Sequence, residues 1–339
     1  QTSPKRWIWP RILVVGLITL LAAFFRLYRI DTLPPGDGYD PAYCGVDALQ
    51  FLHGERLPIM LQPNREVLFS YVVATSFLLV GASTLGIHLA SALVGLATIP
   101  VVYMVGEALF TNVVDEENAL KRWGGLVAAL MMAISYWHLN WSRYGVRAIL
   151  VPLFATLTFA FLWQGLHKSN RWAFALCGIS LGLSMYTYQA ARLLPVLVVG
   201  AFAAVVWRRG SIMRRDWINF LIVTLMALIV FAPLGIYFVE HPGSFTMRVK
   251  DALVVHEEQD MAGKSQAILD QTVKTLLSFS FVGDNTPYST IPGRPSLNPF
   301  LSVLFFFFFS ISLAHIQLPA YVFFLALLVV INIPATLVC

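Results

Sequence analysis

Long, nearly uninterrupted apolar runs recur from one end of this chain to the other, among them Trp7–Phe25, Ile87–Phe110 and Trp217–Tyr237. Such runs leave few options, because a backbone in hydrocarbon must satisfy its own hydrogen bonds, and only helices and closed barrels do so. A barrel needs segments of alternating polarity, whereas these runs are continuous. Composition agrees: 58% of the 339 residues are hydrophobic and 12% are charged, against about a quarter charged in soluble domains. The chain therefore reads as an all-α polytopic membrane protein. Its net charge of +5 does not imply a nucleic-acid partner, since 11 of its 23 Lys and Arg lie in short stretches beside apolar runs, where membrane topology accounts for them. Cys44, Cys177 and Cys339 form neither a disulfide framework nor a metal-ligand spacing.

The remaining runs long enough to be spans are Gly124–Leu139, Ala148–Leu166, Trp172–Tyr186, Leu193–Trp207, Asn298–Leu313 and Leu318–Val338, which makes about nine transmembrane helices in all. The first lacks a convincing cleavage site and reads as an uncleaved span. Val67–Val80 decides the topology. With Lys5, Arg6 and Arg11 holding the N-terminus in the cytoplasm, a crossing there would put the basic loop Arg208–Arg215 outside, against the positive-inside rule. At fourteen residues the segment is also short for a core of about 30 Å, so it is expected to lie in, or dip into, the outer interface. Two large external segments result. The first covers residues 26–86, with an acidic helix and the dipping helix, and the second covers residues 238–297, where Lys264–Phe279 has the spacing of an amphipathic interfacial helix. The whole is a single transmembrane domain, and the end at Cys339 reads either as the native terminus or as a truncation.

Carboxylates concentrate in the first external segment, where Asp31, Asp37, Asp40, Asp47, Glu55 and Glu66 are six of the chain's 18, so chemistry on the outer face is expected there. Asp40, followed by Pro41, has the position of a helix N-cap, and the alternative role is that of a general base at the membrane surface. Asp47 lies two turns on and on a similar face, where it could orient Asp40, an acceptor or a divalent cation. Asp37 reads as a turn residue and Glu107 as structural. Two basic clusters fall on the same side: Arg143 and Arg147, within Trp141–Arg147, and Arg192, at the end of Tyr186–Arg192. Each arginine could simply snorkel, yet beside Tyr and Trp and facing an acidic loop they suit a lipid-linked phosphate. His53, His88 and His138 read as interfacial or packed.

The order of these parts resembles the GT-C membrane glycosyltransferases, specifically the protein O-mannosyltransferase and aminoarabinose-transferase-like branch, glycosyltransferase family 39. The stretches that carry the likeness are Tyr39-Asp-Pro-Ala42, Gly45-Val-Asp-Ala-Leu49, Asn64-Arg-Glu-Val-Leu-Phe69, Ser91–Thr98, Trp141–Arg147, Gly182–Tyr188 with Ala191-Arg192, and Pro292-Gly-Arg-Pro295. The resemblance implies a GT-C-like fold in a bacterial plasma membrane and an enzyme of the EC 2.4 class. Such an enzyme moves a sugar from a polyprenyl-phosphate donor to an acceptor hydroxyl on a protein, lipid or glycan. It implies Asp40 as the catalytic carboxylate, with Arg65 and Glu66 bordering the acceptor or donor groove. Asp47, Tyr188, Arg143, Arg147 and Arg192 complete the substrate-binding set, the three arginines facing the lipid phosphate.

A polyprenyl phosphate is already a good leaving group, so one base suffices where a glycosidase needs paired carboxylates. The expected mechanism is inverting, with Asp40 as the base and no certain cofactor. A divalent cation remains possible, with Asp40 and Asp47 its only candidate ligands. The alternative reading is a non-catalytic, glycosyltransferase-like membrane subunit packed within a larger complex. A transporter fits less well, because no ionisable residue sits deep in the middle of a span.

Overall fold

The computed structural model describes residues 8–33, 38–54, 60–61, 65–110, 119–168, 170–211, 213–245, 261–283, 291–316, 321–322 and 324–329. Its first helix, α1 (Ile8–Leu27), is followed by α2 (Tyr39–Leu52), a two-stranded hairpin of β1 (Met60–Leu61) and β2 (Arg65–Glu66), and α3 (Leu68–Val80). Then come α4 (Thr84–Phe110), α5 (Ala119–Ile134), α6 (Tyr136–Tyr144), α7 (Leu150–Lys168), α8 (Arg171–Ser184), α9 (Leu194–Arg209) and α10 (Arg214–Glu240). The amphipathic segment forms α11 (Met261–Ser280), and α12 (Pro299–Ala314) follows it. The all-α expectation holds.

Among the described residues five helices are long and apolar enough to cross a membrane: Pro10–Leu27, Thr84–Leu109, Arg147–Lys168, Gln189–Trp207 and Arg214–Glu240. The runs expected as spans at Gly124–Leu139, Trp172–Tyr186 and Asn298–Leu313 are shorter helices, and the run Leu318–Val338 falls largely outside the described residues. At 1.5 Å per residue, helices of this length reach only about 20–24 Å of a core about 30 Å thick. The expected span Gly124–Leu139 is also broken, because Ser135 is extended (φ −61°, ψ 120°) and ends α5 before α6 begins. Polarity explains the break: α6 reads Tyr-Trp-His-Leu-Asn-Trp-Ser-Arg-Tyr, with no apolar run to continue. The dipping segment is the thirteen-residue α3, bounded by Gly81 at φ +83°.

Helix α4 is the hub, packed against α1, α3, α5, α6 and α7, while α7 leads on to α8 and α8 to α10. In lipid, close approach of backbones replaces hydrophobic burial as the organiser of helix pairs, so small residues mark the contacts. Gly106 of α4 lies on Gly125 of α5, where an added Cβ would be 2.7 Å from the Gly125 Cα. Gly178 and Gly182, one turn apart on α8, admit the α10 backbone at Val223 and Ala227. The opposite faces carry lipid-facing side chains such as Leu13, Leu17 and Leu20 of α1, all more than half exposed.

Two arginines, one buried and one half-buried, tie helix ends together. Arg26, fully buried at the end of α1, donates to the carbonyls of Ala133 (3.1 Å) and Met132 (3.5 Å) and contacts His138 Nδ1 at 2.8 Å. Arg143 reciprocates from α6, donating to the carbonyls of Phe25 (2.6 Å), Arg26 (3.1 Å), Tyr28 (2.8 Å), Arg29 (3.3 Å) and Leu33 (2.9 Å). Each guanidinium occupies the electronegative C-terminus of a helix. Together they fix the base of the first loop against α6.

Candidate active site

The hairpin residues Arg65 and Glu66 are both buried, and neighbouring strand positions face opposite ways, so the two send their charges in different directions. Arg65 turns to α2, where Nη1 and Nη2 donate to the two carboxylate oxygens of Asp47 at 3.1 and 3.3 Å and the guanidinium lies 4.5 Å over the Tyr43 ring. Ser70, on the first turn of α3, adds a contact at 3.5 Å. Burial raises the Asp47 carboxyl above its ordinary value, with Arg65 opposing the rise.

Glu66 turns the other way, to Arg147 and Arg192. Its Oε1 lies 3.4 Å from Arg192 Nη2 and its Oε2 lies 3.7 Å from Arg147 Nε, both longer than the 2.7–2.9 Å usual for charge-assisted bonds. The Arg147 side chain is 5% exposed and that of Glu66 only 2%. Among the described residues Arg147 Nε and Nη2 and Glu66 Oε2 are buried with no hydrogen-bond partner, although Arg147 and Glu66 are ion-paired. Such groups cost free energy unless something supplies the missing bonds. Tyr188, extended just before the short 3-10 helix Gln189–Leu193, has its ring 5.6 Å from the Arg147 guanidinium. Arg192, in the last turn of that helix, reaches Phe245, donating to its carbonyl, and stacks on the rings of Phe245 (4.5 Å) and Phe238 (5.5 Å).

Beyond Arg192 an apolar cavity of about 410 Å³ runs between α8, α9 and α10, with Leu181, Val198, Phe220, Phe231 and Leu234 in its wall. The volume lies in the range of small-molecule sites. A charged mouth on an apolar cavity suits an amphiphile whose head is an anion.

Asp40 lies on the exposed first turn of α2 and makes no hydrogen bond or ion pair among the described residues. The expected N-cap position is corrected by two residues: Gly38 is the N-cap and the helix begins at Tyr39, one residue ahead of Asp40. Packing accounts for this. Gly38 lies directly on the Tyr144 hydroxyl, with no room for a Cβ, and Pro41 approaches Gly145, itself left-handed at φ +83°. Asp40 is thereby held beside the turn that leads from Arg143 to Arg147.

Of the residues expected to act together, the fold groups Glu66, Arg147, Tyr188 and Arg192, pairs Asp47 with Arg65, and leaves Asp40 exposed at the edge. Arg143 is engaged by carbonyls of residues 25–33 rather than by carboxylates. Asp47 has both oxygens on Arg65, and among the described residues no group of three or more His, Cys, Asp or Glu is gathered. Burial pushes the Cys44 thiol up to about 11, with Arg147 opposing, so it is no ready thiolate. His88 is buried on the Ile30 carbonyl at 3.1 Å. Asp37 lies outside the described residues. Sequence reasoning missed Phe238 and Phe245, since a phenylalanine near the end of an apolar run carries no signal of its own.

The helical bundle and its juxtamembrane loop have the architecture of the polytopic GT-C membrane proteins. The profile of the dolichyl-phosphate-mannose-protein mannosyltransferase family matches residues 63–237, just over half the chain, and the chain belongs to that family. The matched region holds Arg65, Glu66, Arg143, Arg147, Tyr188 and Arg192, while Asp40 and Asp47 precede it. No curated protein matches the chain. Among solved structures, the apo oligosaccharyltransferase of Archaeoglobus fulgidus is similar at 17% identity and a TM-score of 0.51, over 69% of this chain and 30% of that one. The ArnT protein of Cupriavidus metallidurans, bound to undecaprenyl phosphate, aligns at 15% identity and a TM-score of 0.45, over 98% of this chain and 59% of its own. The chain thus spans less than two thirds of the length of either structure.

Proposed function

We propose that the chain transfers a sugar from a polyprenyl-phosphate donor to an acceptor hydroxyl at the outer face of the membrane, with inversion and with Asp40 as the base. The observation that carries this reading is the pairing of Arg147 and Arg192 through Glu66: among the described residues Arg147 keeps buried donors without a hydrogen-bond partner, and Arg192 lines the apolar cavity. A phosphate has enough oxygens to meet those donors, and an isoprenoid chain has the character of the cavity wall. Family membership supplies the chemistry class.

In the proposed step the acceptor oxygen attacks the anomeric carbon, a new C–O bond forms, and the bond from that carbon to the phosphate oxygen breaks with its electron pair passing to the phosphate. The acceptor proton goes to the Asp40 carboxylate, which is exposed on the first turn of α2. The charge gained by the phosphate is met by Arg147 and Arg192, already oriented by Glu66 and by the rings of Tyr188, Phe238 and Phe245. In this reading the N-terminus is cytoplasmic, consistent with the basic loops expected on the same side as Arg11.

The test is a transfer assay in membranes, with a panel of polyprenyl-phosphate sugars and release of polyprenyl phosphate as the readout. Release by the wild type, reduced by a factor of about 10²–10⁴ in Asp40→Asn, is the expected result. Asp40→Asn protein that is folded and transfers at the wild-type rate refutes the assignment of the base.

A further inference from the structure

We infer that Glu66 is a specificity-determining residue that keeps the anion site from retaining its own product, an inference resting on the proposed polyprenyl-phosphate site. Donor and product differ at the phosphorus. The donor is a phosphodiester with one negative charge, while the product is a phosphomonoester whose second ionisation, near pH 6, brings it to about −1.5 to −2 at neutral pH. A site built from two arginines alone favours the product, because the extra charge is attracted by both. Such an enzyme makes a tight inhibitor at every turnover.

Glu66 sits where it corrects that bias. Its two oxygens lie between Arg147 and Arg192, at 3.7 and 3.4 Å. Any anion that satisfies Arg147 Nε and Nη2 therefore rests within a few ångströms of the Glu66 carboxylate. The carboxylate is 98% buried, its Oε2 has no hydrogen-bond partner among the described residues, and little water intervenes to screen it. It repels the second charge of a monoester as well as the first, so it penalises the product about twice as much as the donor. The long distances make the same point from the other side. A carboxylate placed only to lock two guanidiniums would lie in bidentate contact, as Asp47 does on Arg65 at 3.1 and 3.3 Å. Glu66 lowers the charge of the site without filling it.

The experiment needs neither the sugar nor the acceptor. Farnesyl phosphate, a monoester, and farnesyl methyl phosphate, a diester, are titrated against the full chain in detergent, for wild type, Glu66→Gln, Glu66→Asp and Arg147→Gln. A unit charge about 4 Å away changes affinity by several-fold in water and by about a thousandfold at an effective dielectric near 20. The expected result is that Glu66→Gln raises the monoester-to-diester affinity ratio at pH 7.5 at least about tenfold, while Glu66→Asp, which keeps the charge, stays near the wild-type ratio. Between pH 5.5 and 7.5 the ratio should climb more steeply in Glu66→Gln than in wild type. The groups around the site are Arg147, Arg192 and Tyr188, the Arg65–Asp47 pair, Asp40 and Cys44 on α2, and His241 at the end of α10. All are common to both proteins, so the difference in slope belongs to the Glu66 charge.

An unchanged ratio in folded Glu66→Gln overturns the inference, as does a Glu66→Asp ratio shifted as far as that of Gln. Should Glu66→Gln not fold, Glu66→Ala removes the same charge and is judged by the same ratio. The underlying site is tested separately: Arg147→Gln must weaken both ligands, and if neither ligand responds to Arg147, the anion site itself is misassigned.

Discussion

The Arg65–Asp47 pair permits a sharp test of the energetics beneath the site. Both side chains are more than nine-tenths buried, and two hydrogen bonds of 3.1 and 3.3 Å join them, so solvent screening offers little relief if one partner is lost. Asp47→Leu or Arg65→Met alone strands a charge in the interior, at a cost of about 3–5 kcal/mol. At about 2 °C per kcal/mol, that is a fall of about 6–10 °C in apparent Tm. The double variant Asp47→Leu/Arg65→Met strands nothing and fills the same volume with apolar groups. It should regain most of the loss, because the desolvation of a buried pair roughly cancels its attraction. The direction of the Asp47 shift argues the same way: burial raises its pKa despite Arg65.

The pH dependence follows from that direction. The folded protein holds the Asp47 proton more tightly than the unfolded chain does. Its contribution to stability is therefore complete below the ordinary carboxylate range and is lost as pH rises through the raised value. Asp47→Asn cannot titrate and lacks this slope. The assay is thermal unfolding in detergent across a pH series, for wild type, the single variants and the double. Losses that simply add in the double variant refute the reasoning, since the pair would then be two independent contacts. A stability that rises with pH through that window in wild type and not in Asp47→Asn refutes the linkage.

Two further outcomes follow from the α8–α10 contact. In Tyr186→Phe the hydroxyl that bridges the Val230 carbonyl (3.0 Å) and the Leu234 amide (3.2 Å) beside Pro233 is lost, leaving two backbone groups without their partner. A loss of about 1–3 kcal/mol is expected, read as a lower Tm in detergent; no change would mean water replaces the hydroxyl. Gly182→Val has no free space, since an added Cβ would lie 2.6 Å from Val230 Cβ and 2.8 Å from the Ala227 carbonyl. It should force α8 and α10 apart and cut the yield of monodisperse protein, whereas Gly200→Ala, with nothing within 4 Å of its Cβ position, should not.

How much of this was legible beforehand depended on whether a property belongs to one segment or to several. The helical class, the short helix α3 and the amphipathic α11 each follow from a single stretch of residues, and all three were readable. The break at Ser135 has a local part, the polar sequence of α6, and a distant part that no single stretch shows: Arg26 reaches from α1, more than a hundred residues away, to take the last carbonyls of α5. The start of α2 moved for a similar reason. Asp40 has the side chain of an N-cap, but Gly38 fits under Tyr144 and the helix begins earlier.

The arginines show where sequence reasoning stops. Arg143, Arg147 and Arg192 are alike by residue type, neighbourhood and expected side of the membrane, and nothing in their flanking residues separates a helix clamp from an anion-binding site. What separates them is the oxygen each one meets. Arg143 finds five carbonyls at the end of α1, neutral acceptors that satisfy its donors and hold it in place. Arg147 and Arg192 instead share one carboxylate at distances too long for strong bonds, and Arg147 keeps two donors unmet among the described residues. The difference arises from the backbone: Arg143 ends α6 facing the α1 C-terminus, whereas the left-handed Gly145 turns the chain so that Arg147 points at the hairpin. One glycine thus divides two arginines four residues apart into a structural contact and a candidate binding group, and it does so through a φ angle that only the folded contact with α2 and α4 makes necessary.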